Sequence, residues 1–212
     1  MIWAMIEMSI SCPECDAPVH IDGPYRKVLC STCQSEIEFP EEVWNGTLED
    51  VKDEVPGFNP GEGTNSNIFG HFNMKLTYGR LAPSCSKCKR DFVIEKDYSG
   101  TDKVTCPDCG TVTPAFAAPD WFRKIIPDAG LIVGAWPNNE AVQDNKAVSD
   151  PVIFSCPQCG GSLMIDGKER LVNCEYCATR VYLPDDLWLK LHPAKKKNRW
   201  FIGIGDVPNF IN

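Results

Sequence analysis

The sequence predicts a small, metal-stabilised, mainly β protein: three repeated hairpin modules, each with a four-cysteine site and each followed by a short helix. Three observations predict it. All twelve cysteines of the 212-residue chain fall into six Cys-x-x-Cys pairs. The pairs group two by two, with 14, 17 and 14 residues between the inner cysteines. After each group comes a segment of proline, acid and tryptophan.

The cysteines come first. A pair separated by two residues bends around one ion, with backbone amides turned toward the sulfurs. A second pair brought alongside completes a tetrahedron of soft thiolates, which zinc prefers and which leaves no open position for a substrate. The expected ligand sets are Cys12, Cys15, Cys30 and Cys33; Cys85, Cys88, Cys106 and Cys109; and Cys156, Cys159, Cys174 and Cys177. Each set is expected to hold one structural Zn²⁺, three in all.

The segments CPEC and CSTC, CSKC and CPDC, and CPQC and CEYC resemble the zinc-ribbon family with its rubredoxin-like knuckles. The resemblance covers residues 12–33, 85–109 and 156–177 as three tandem copies. It implies ribbon modules but no single function, because the family spans transcription factors, ribosomal proteins, chaperone inserts and scaffolding modules. Iron in a rubredoxin-like centre uses the same four thiolates, and spacing alone leaves zinc and iron both open. Disulfides need an oxidising compartment. The N-terminus, Met1–Ile10, has no basic region, is interrupted by Glu7 and runs almost directly into Cys12, so it does not read as a secretory signal. The expected location is cytoplasmic. No segment reaches the roughly 20 apolar residues that a membrane span needs.

The hairpins come next. Repeats one and three align without a gap: Ile21-Asp22-Gly23 matches Ile165-Asp166-Gly167, Arg26 matches Arg170 and Val28 matches Val172. Asp-Gly between short apolar segments is a hairpin signal, because glycine allows the positive φ of a tight turn. Each ribbon is therefore expected to run strand, turn, strand, second knuckle. In the middle repeat Phe92-Val93-Ile94 and Val104 are the expected strand residues, with a longer turn through Asp97–Gly100.

The helices follow. Pro40-Glu41-Glu42-Val43-Trp44, Pro119-Asp120-Trp121 and Pro184-Asp185-Asp186-Leu187-Trp188 each read as a helix start. Proline loses no useful hydrogen bond there, and the acids face the positive end of the helix dipole. The tryptophans are expected to pack back onto their ribbons as lids, with Leu48, Ile125 and Leu191 on the same face. Trp3, Trp136 and Trp200 lie outside the pattern and are the candidates for contacts between modules or with a partner.

These readings divide the chain into ribbon 1 with its lid (9–55), a linker with an extra strand (56–80), ribbon 2 with its lid (81–127), a second linker (128–151), ribbon 3 with its lid (152–193) and a C-terminal tail (194–212). The extra strand is expected over Ile68–Leu81. The tail, with Lys195-Lys196-Lys197 before Trp200–Ile204, reads as a strand docking on another module, or as a recognition element for an anionic partner or membrane surface.

The formal charge is −8, and ligation by thiolates makes it more negative. That weighs against a nucleic-acid binder, which gains affinity from phosphate contacts through a basic face. The middle ribbon alone is locally basic, through Lys87, Lys89, Arg90, Lys96 and Lys103. No catalytic residue is assigned: His20, His71 and His192 lack a catalytic setting, and no phosphate loop, nucleophile elbow or zinc-protease motif occurs. The expected function is a non-enzymatic zinc-binding adaptor for a protein partner, with no small-molecule substrate. The alternatives are nucleic-acid binding through the middle ribbon, and rubredoxin-like electron transfer or thiol redox.

Overall fold

The computed structural model describes residues 1–69, 72–137, 152–165, 170–185, 187 and 198–205. The described residues are mainly β, 38% strand and 16% helix. The chain forms two units: Met1–Val142 with Lys197–Asn212, and Gln143–Lys196. Among the described residues no helix is long and apolar enough to cross a membrane.

The first unit is built on a sheet of eight strands. They are β1 (Ile2–Ser11), β2 (Pro18–Ile21), β5 (Asn65–Phe69), β6 (Met74–Arg80), β7 (Lys103–Thr105), β8 (Val112–Ala117), β9 (Ala129–Val133) and β14 (Trp200–Ile204). The order is β5-β6-β1-β14-β9-β8-β7, with β2 also on β1, and every pairing is antiparallel. A smaller pair, β3 (Lys27–Leu29) and β4 (Glu36–Glu38), completes ribbon 1.

Strand β1 ties ribbon 1 to the sheet. Its first half pairs with β14, from Ile2↔Ile204 to Ile6↔Trp200, and its second half with β2, from Met8↔Ile21 to Ser11↔Pro18. Ribbon 2 joins in the same manner. The first half of β8 pairs with β7 and the second half with β9, Ala115↔Val133 to Ala117↔Leu131. Alternation along the strands covers both faces. Ala4, Ile6, Met8 and Ile10 of β1, with Ile132, Trp200 and Ile202, enter one core, whereas Met5, Leu131, Val133 and Phe201 enter a second core around Cys85, Phe92, Tyr98 and Cys106.

Helix α1 (Glu41–Glu54) follows ribbon 1. Pro40 stands at its N-cap with Glu41 and Glu42 in the first turn. It buries Trp44, Thr47, Leu48 and Val51, the spacing of one helical stripe. After ribbon 2 the helix α3 (Asp120–Arg123) is only one turn long. Its fully buried ring is Phe122 rather than Trp121, which is half-buried. The ring moves because Phe122 stands three residues beyond Pro119, close to the four that separate Trp44 from Pro40. Of the segment after ribbon 3, Pro184, Asp185 and Leu187 are described, and Asp186, Trp188 and Leu191 lie outside the described residues.

Several sequence expectations are revised. The Asp22-Gly23 turn does not join a hairpin: β2 pairs with β1, and β3 with β4. Asp166 and Gly167 of ribbon 3 lie outside the described residues. In ribbon 1 each knuckle is itself the hairpin turn, so the segment between them crosses from one hairpin to the next. Gly23 is needed there for closeness, since a Cβ would lie 2.6 Å from the Tyr25 ring and 2.9 Å from Ala135 Cβ. In ribbon 2, Phe92 and Val93 are not strand, and Ile94–Asp97 forms one helical turn, α2. Asp97 closes that turn by accepting from the Val93 amide at 2.8 Å. The strand expected within Ile68–Leu81 is present as β6, preceded by β5. The tail supplies a docking strand as expected, β14, between β1 and β9. The second linker, 128–151, carries an unexpected strand, β9, and Lys195, Lys196 and Lys197 lie outside the described residues. Leu131–Val133 and Trp200–Ile202 are unbroken apolar runs because both faces of these central strands are covered.

The second unit repeats the plan of ribbon 1. Strand β10 (Val152–Ser155) pairs with β11 (Ser162–Ile165), and β12 (Leu171–Asn173) with β13 (Arg180–Tyr182). Leu163, Val181 and two cysteines form one small core, and Ile165, Leu183 and Leu187 another.

Candidate metal centres

The six knuckles share one backbone design. The amide of the first cysteine bonds the carbonyl five residues on, as in Cys12 to Ala17 at 2.8 Å and Cys174 to Thr179 at 2.9 Å. Its carbonyl accepts from the residue four on, as from Asp16 at 2.9 Å and Gly110 at 2.9 Å. The residue directly after the second cysteine takes positive φ in every knuckle: Asp16, Gln34, Lys89, Gly110, Gly160 and Ala178. Only two of these are glycine, and a left-handed conformation costs other residues about 1 kcal/mol each. Closing the two sulfurs onto one point offsets that cost.

The structure brings the twelve cysteines together as the three expected sets, the sulfurs of each lying within 4.8 Å of one another. Between the pairs, Cys12–Cys33 and Cys15–Cys30 are both 3.6 Å; Cys85–Cys109 and Cys88–Cys106 are both 3.5 Å; Cys156–Cys177 and Cys159–Cys174 are 3.8 and 3.7 Å. Sulfurs about 2.3 Å from a central ion in a tetrahedron stand about 3.8 Å apart, whereas disulfide sulfurs are about 2.05 Å apart. All twelve cysteines are free. The donor sets therefore fit a metal ion. Among the described residues these are the only such groups.

Each centre straddles the surface. The first cysteine of every pair is buried, while Cys15, Cys33, Cys88 and Cys159 are exposed and Cys109 and Cys177 are half-buried. In each second knuckle a hydroxyl lies beside the outer sulfur. Ser35 Oγ is 3.0 Å from Cys33 and 3.3 Å from Cys12, Thr111 Oγ1 is 3.2 Å from Cys109, and Thr179 Oγ1 is 3.3 Å from Cys177. These hydroxyls hold Cys12, Cys109 and Cys177 down at about 6 from the ordinary 9.0. Cys15, Cys88 and Cys159 move the other way, to about 12: the amide two residues on favours their thiolates, but partial desolvation and the surrounding sulfurs outweigh it. Four thiolates this close ionise together only when a cation balances them. The hydroxyls were legible as a pattern, Cys-x-x-Cys-x-Ser/Thr, present in every second knuckle and no first one.

The other candidates disperse. Arg90 of the basic middle ribbon is engaged by Asp97 at 2.8 Å and Asp108 at 3.3 Å. Lys89 Nζ donates to its own knuckle at Ser86 O, at 2.9 Å. His20 sits half-buried on β2, and His71 and His192 lie outside the described residues. Trp200 is fully buried, Trp3 packs against the ribbon 2 core, and Trp136 is half exposed. No family model, curated protein or solved structure matches the chain.

Proposed function

We propose that the chain is a non-enzymatic, zinc-stapled adaptor that presents its third ribbon to a protein partner. One observation carries this reading: the outward face of ribbon 3 bears Met, Leu or Tyr at four positions where ribbon 1 is polar, with Arg180 the one charge retained. In ribbon 1, Lys27 bridges Glu36 at 2.6 Å and Glu38 at 3.5 Å across β3 and β4. The gapless alignment puts Leu171, Arg180 and Tyr182 at those positions, Tyr176 at Thr32 and Met164 at His20. Leu171 and Tyr182 are direct cross-strand partners, 42% and 60% exposed. Met164 is 77% and Tyr176 71% exposed.

The ribbon fold tolerates charge at these positions, so folding does not demand the apolar side chains. Exposed Tyr, Met and Arg are the residues that protein interfaces concentrate. Arg170 lies 4.5 Å over the Tyr182 ring, which holds the ring in one orientation. The closed four-sulfur sets support a structural metal, and zinc is the ion such sets suit. Against nucleic acid stand the net charge of −8 and the carboxylate partners of Arg90.

A photo-crosslinking residue at Tyr182, with one at Glu38 as control, tests the reading in cells. Discrete protein adducts from position 182 and none from position 38 are expected. Adducts from neither, or retention on DNA or RNA that depends on Lys89 and Lys103, would overturn it. Native mass spectrometry of protein purified without added metal checks the ion: three zincs are expected, and iron would point to electron transfer.

A further inference from the structure

Each centre has two outer sulfurs, and a hydroxyl distinguishes them. Two residues after the outer cysteine of the second knuckle stand Ser35, Thr111 and Thr179, their hydroxyls 3.0, 3.2 and 3.3 Å from Cys33, Cys109 and Cys177. The same position in the first knuckle holds Ala17, Arg90 and Gly161, which carry no hydroxyl. Backbone amides do not separate the two sites. The amides of Ala17, Arg90 and Gly161 face Cys15, Cys88 and Cys159, as those of Ser35, Thr111 and Thr179 face Cys33, Cys109 and Cys177. Access does not separate them in ribbon 1 either, where Cys15 and Cys33 are both exposed.

We propose that Cys15 is the modification site of the metal-loaded first ribbon, the sulfur that small, soft carbon electrophiles attack first there, and that the Ser35 hydroxyl shields Cys33. This rests on the zinc reading above. A metal-bound thiolate keeps lone pairs directed at solvent. With an alkyl iodide the S–C bond forms as the C–I bond breaks, and iodide leaves with the bonding pair. The thiolate becomes a neutral thioether, a poorer ligand for the ion. A hydroxyl proton on the lone pair withdraws charge from the sulfur, as hydrogen bonds to ionised acceptors do, and slows the attack. Ser35 Oγ lies nearer to Cys33, at 3.0 Å, than to Cys12, at 3.3 Å, so its single proton favours the outer sulfur of the second knuckle.

Brief exposure of the full-length, zinc-loaded protein to iodoacetamide, followed by peptide mapping, tests this, with the metal count of the same sample taken by native mass spectrometry. Cys15 should lead Cys33 by about fivefold, the scale of one lost hydrogen bond. Ser35→Ala should bring Cys33 up to the rate of Cys15 and leave Cys88 and Cys159 unchanged. Equal rates at Cys15 and Cys33 in the wild type, or no change in their ratio in Ser35→Ala, with three metals bound, would overturn this proposal alone. Absence of bound metal would overturn the zinc reading and this proposal with it.

Discussion

Trp44 and Trp200 meet edge to face, their ring centroids 6.3 Å apart and their planes at 77°. Each indole also bonds the backbone of ribbon 1: Trp44 Nε1 donates to Tyr25 O at 2.8 Å and Trp200 Nε1 to Ile21 O at 3.1 Å. Phe122 completes the cluster, 6.0 Å from Trp44 and 6.2 Å from Trp200. One helix lid, one C-terminal strand and the lid of ribbon 2 thus converge on the crossing segment between the knuckles of ribbon 1.

Trp200→Ala should destabilise the first unit by about 3–5 kcal/mol, the cost of emptying a fully buried aromatic site. Trp200→Phe keeps most of the volume but removes the indole bond to the Ile21 carbonyl, a loss of about 1 kcal/mol beyond packing. Thermal unfolding followed by near-ultraviolet circular dichroism checks both. A wild-type melting temperature in Trp200→Ala would show that the C-terminal strand does not belong to this core.

Residues 138–197 lie between β9 and β14, which are direct antiparallel neighbours with Val133 opposite Phe201. Replacing that stretch by a short Gly/Asn loop should leave a folded protein that binds two metals. Metal count and melting temperature read the outcome. Aggregation of the shortened chain would show that the first unit depends on the second.

Metal loss should spread differently in the two units. Cys106 is part of the core that also holds Met5 and Phe201 of the main sheet, so Cys106→Ser should lower the melting temperature of the whole first unit. Cys174 belongs to a separate cluster with Cys156, Leu163 and Val181. Cys174→Ser should cost one metal and leave the first unit at its wild-type melting temperature. Limited proteolysis distinguishes the two: cleavage confined to residues 143–196 is expected only for Cys174→Ser.

Acid should release the metals, since protons compete with the ion for thiolates. Thr111 holds Cys109 down at about 6 from 9.0. A lowered thiol pKa favours the folded, ionised site above 9.0, and the advantage disappears as pH falls through about 6. Thr111→Val removes the hydroxyl, so the release midpoint of that centre should move up in pH, by on the order of half a unit. A chelator-dye titration across pH reads it. A midpoint that stays put would mean that the metal alone sets the ionisation of Cys109.

Features coded over a few residues were legible in advance. The three ligand sets follow from Cys-x-x-Cys spacing, because a knuckle closes through its own backbone and needs nothing distant. Helix α1 follows from Pro40, two acids and a stripe from Trp44 to Val51. The Ser/Thr after each second knuckle was equally local, and it is visible in the sequence once the hydroxyls point it out.

Pairing was decided only by the tertiary structure. Asp22-Gly23 has the local chemistry of a hairpin turn, yet β2 finds its partner in β1, because the knuckle between them is already a turn and β1 offers a longer apolar edge. Trp200–Ile204 and Ala129–Val133 carry no turn that announces their neighbours, and about 65 residues of sequence separate these two paired strands. Chain composition marks such runs as buried strands; which edge they join depends on the two-faced core that forms around β1. Sequence by itself determined how many four-cysteine sites able to hold a metal this protein builds and with which sulfurs, since a knuckle closes locally. Tertiary packing decided that two ribbons share one sheet while the third stands in its own unit, since only non-local burial of β1, β9 and β14 makes that choice.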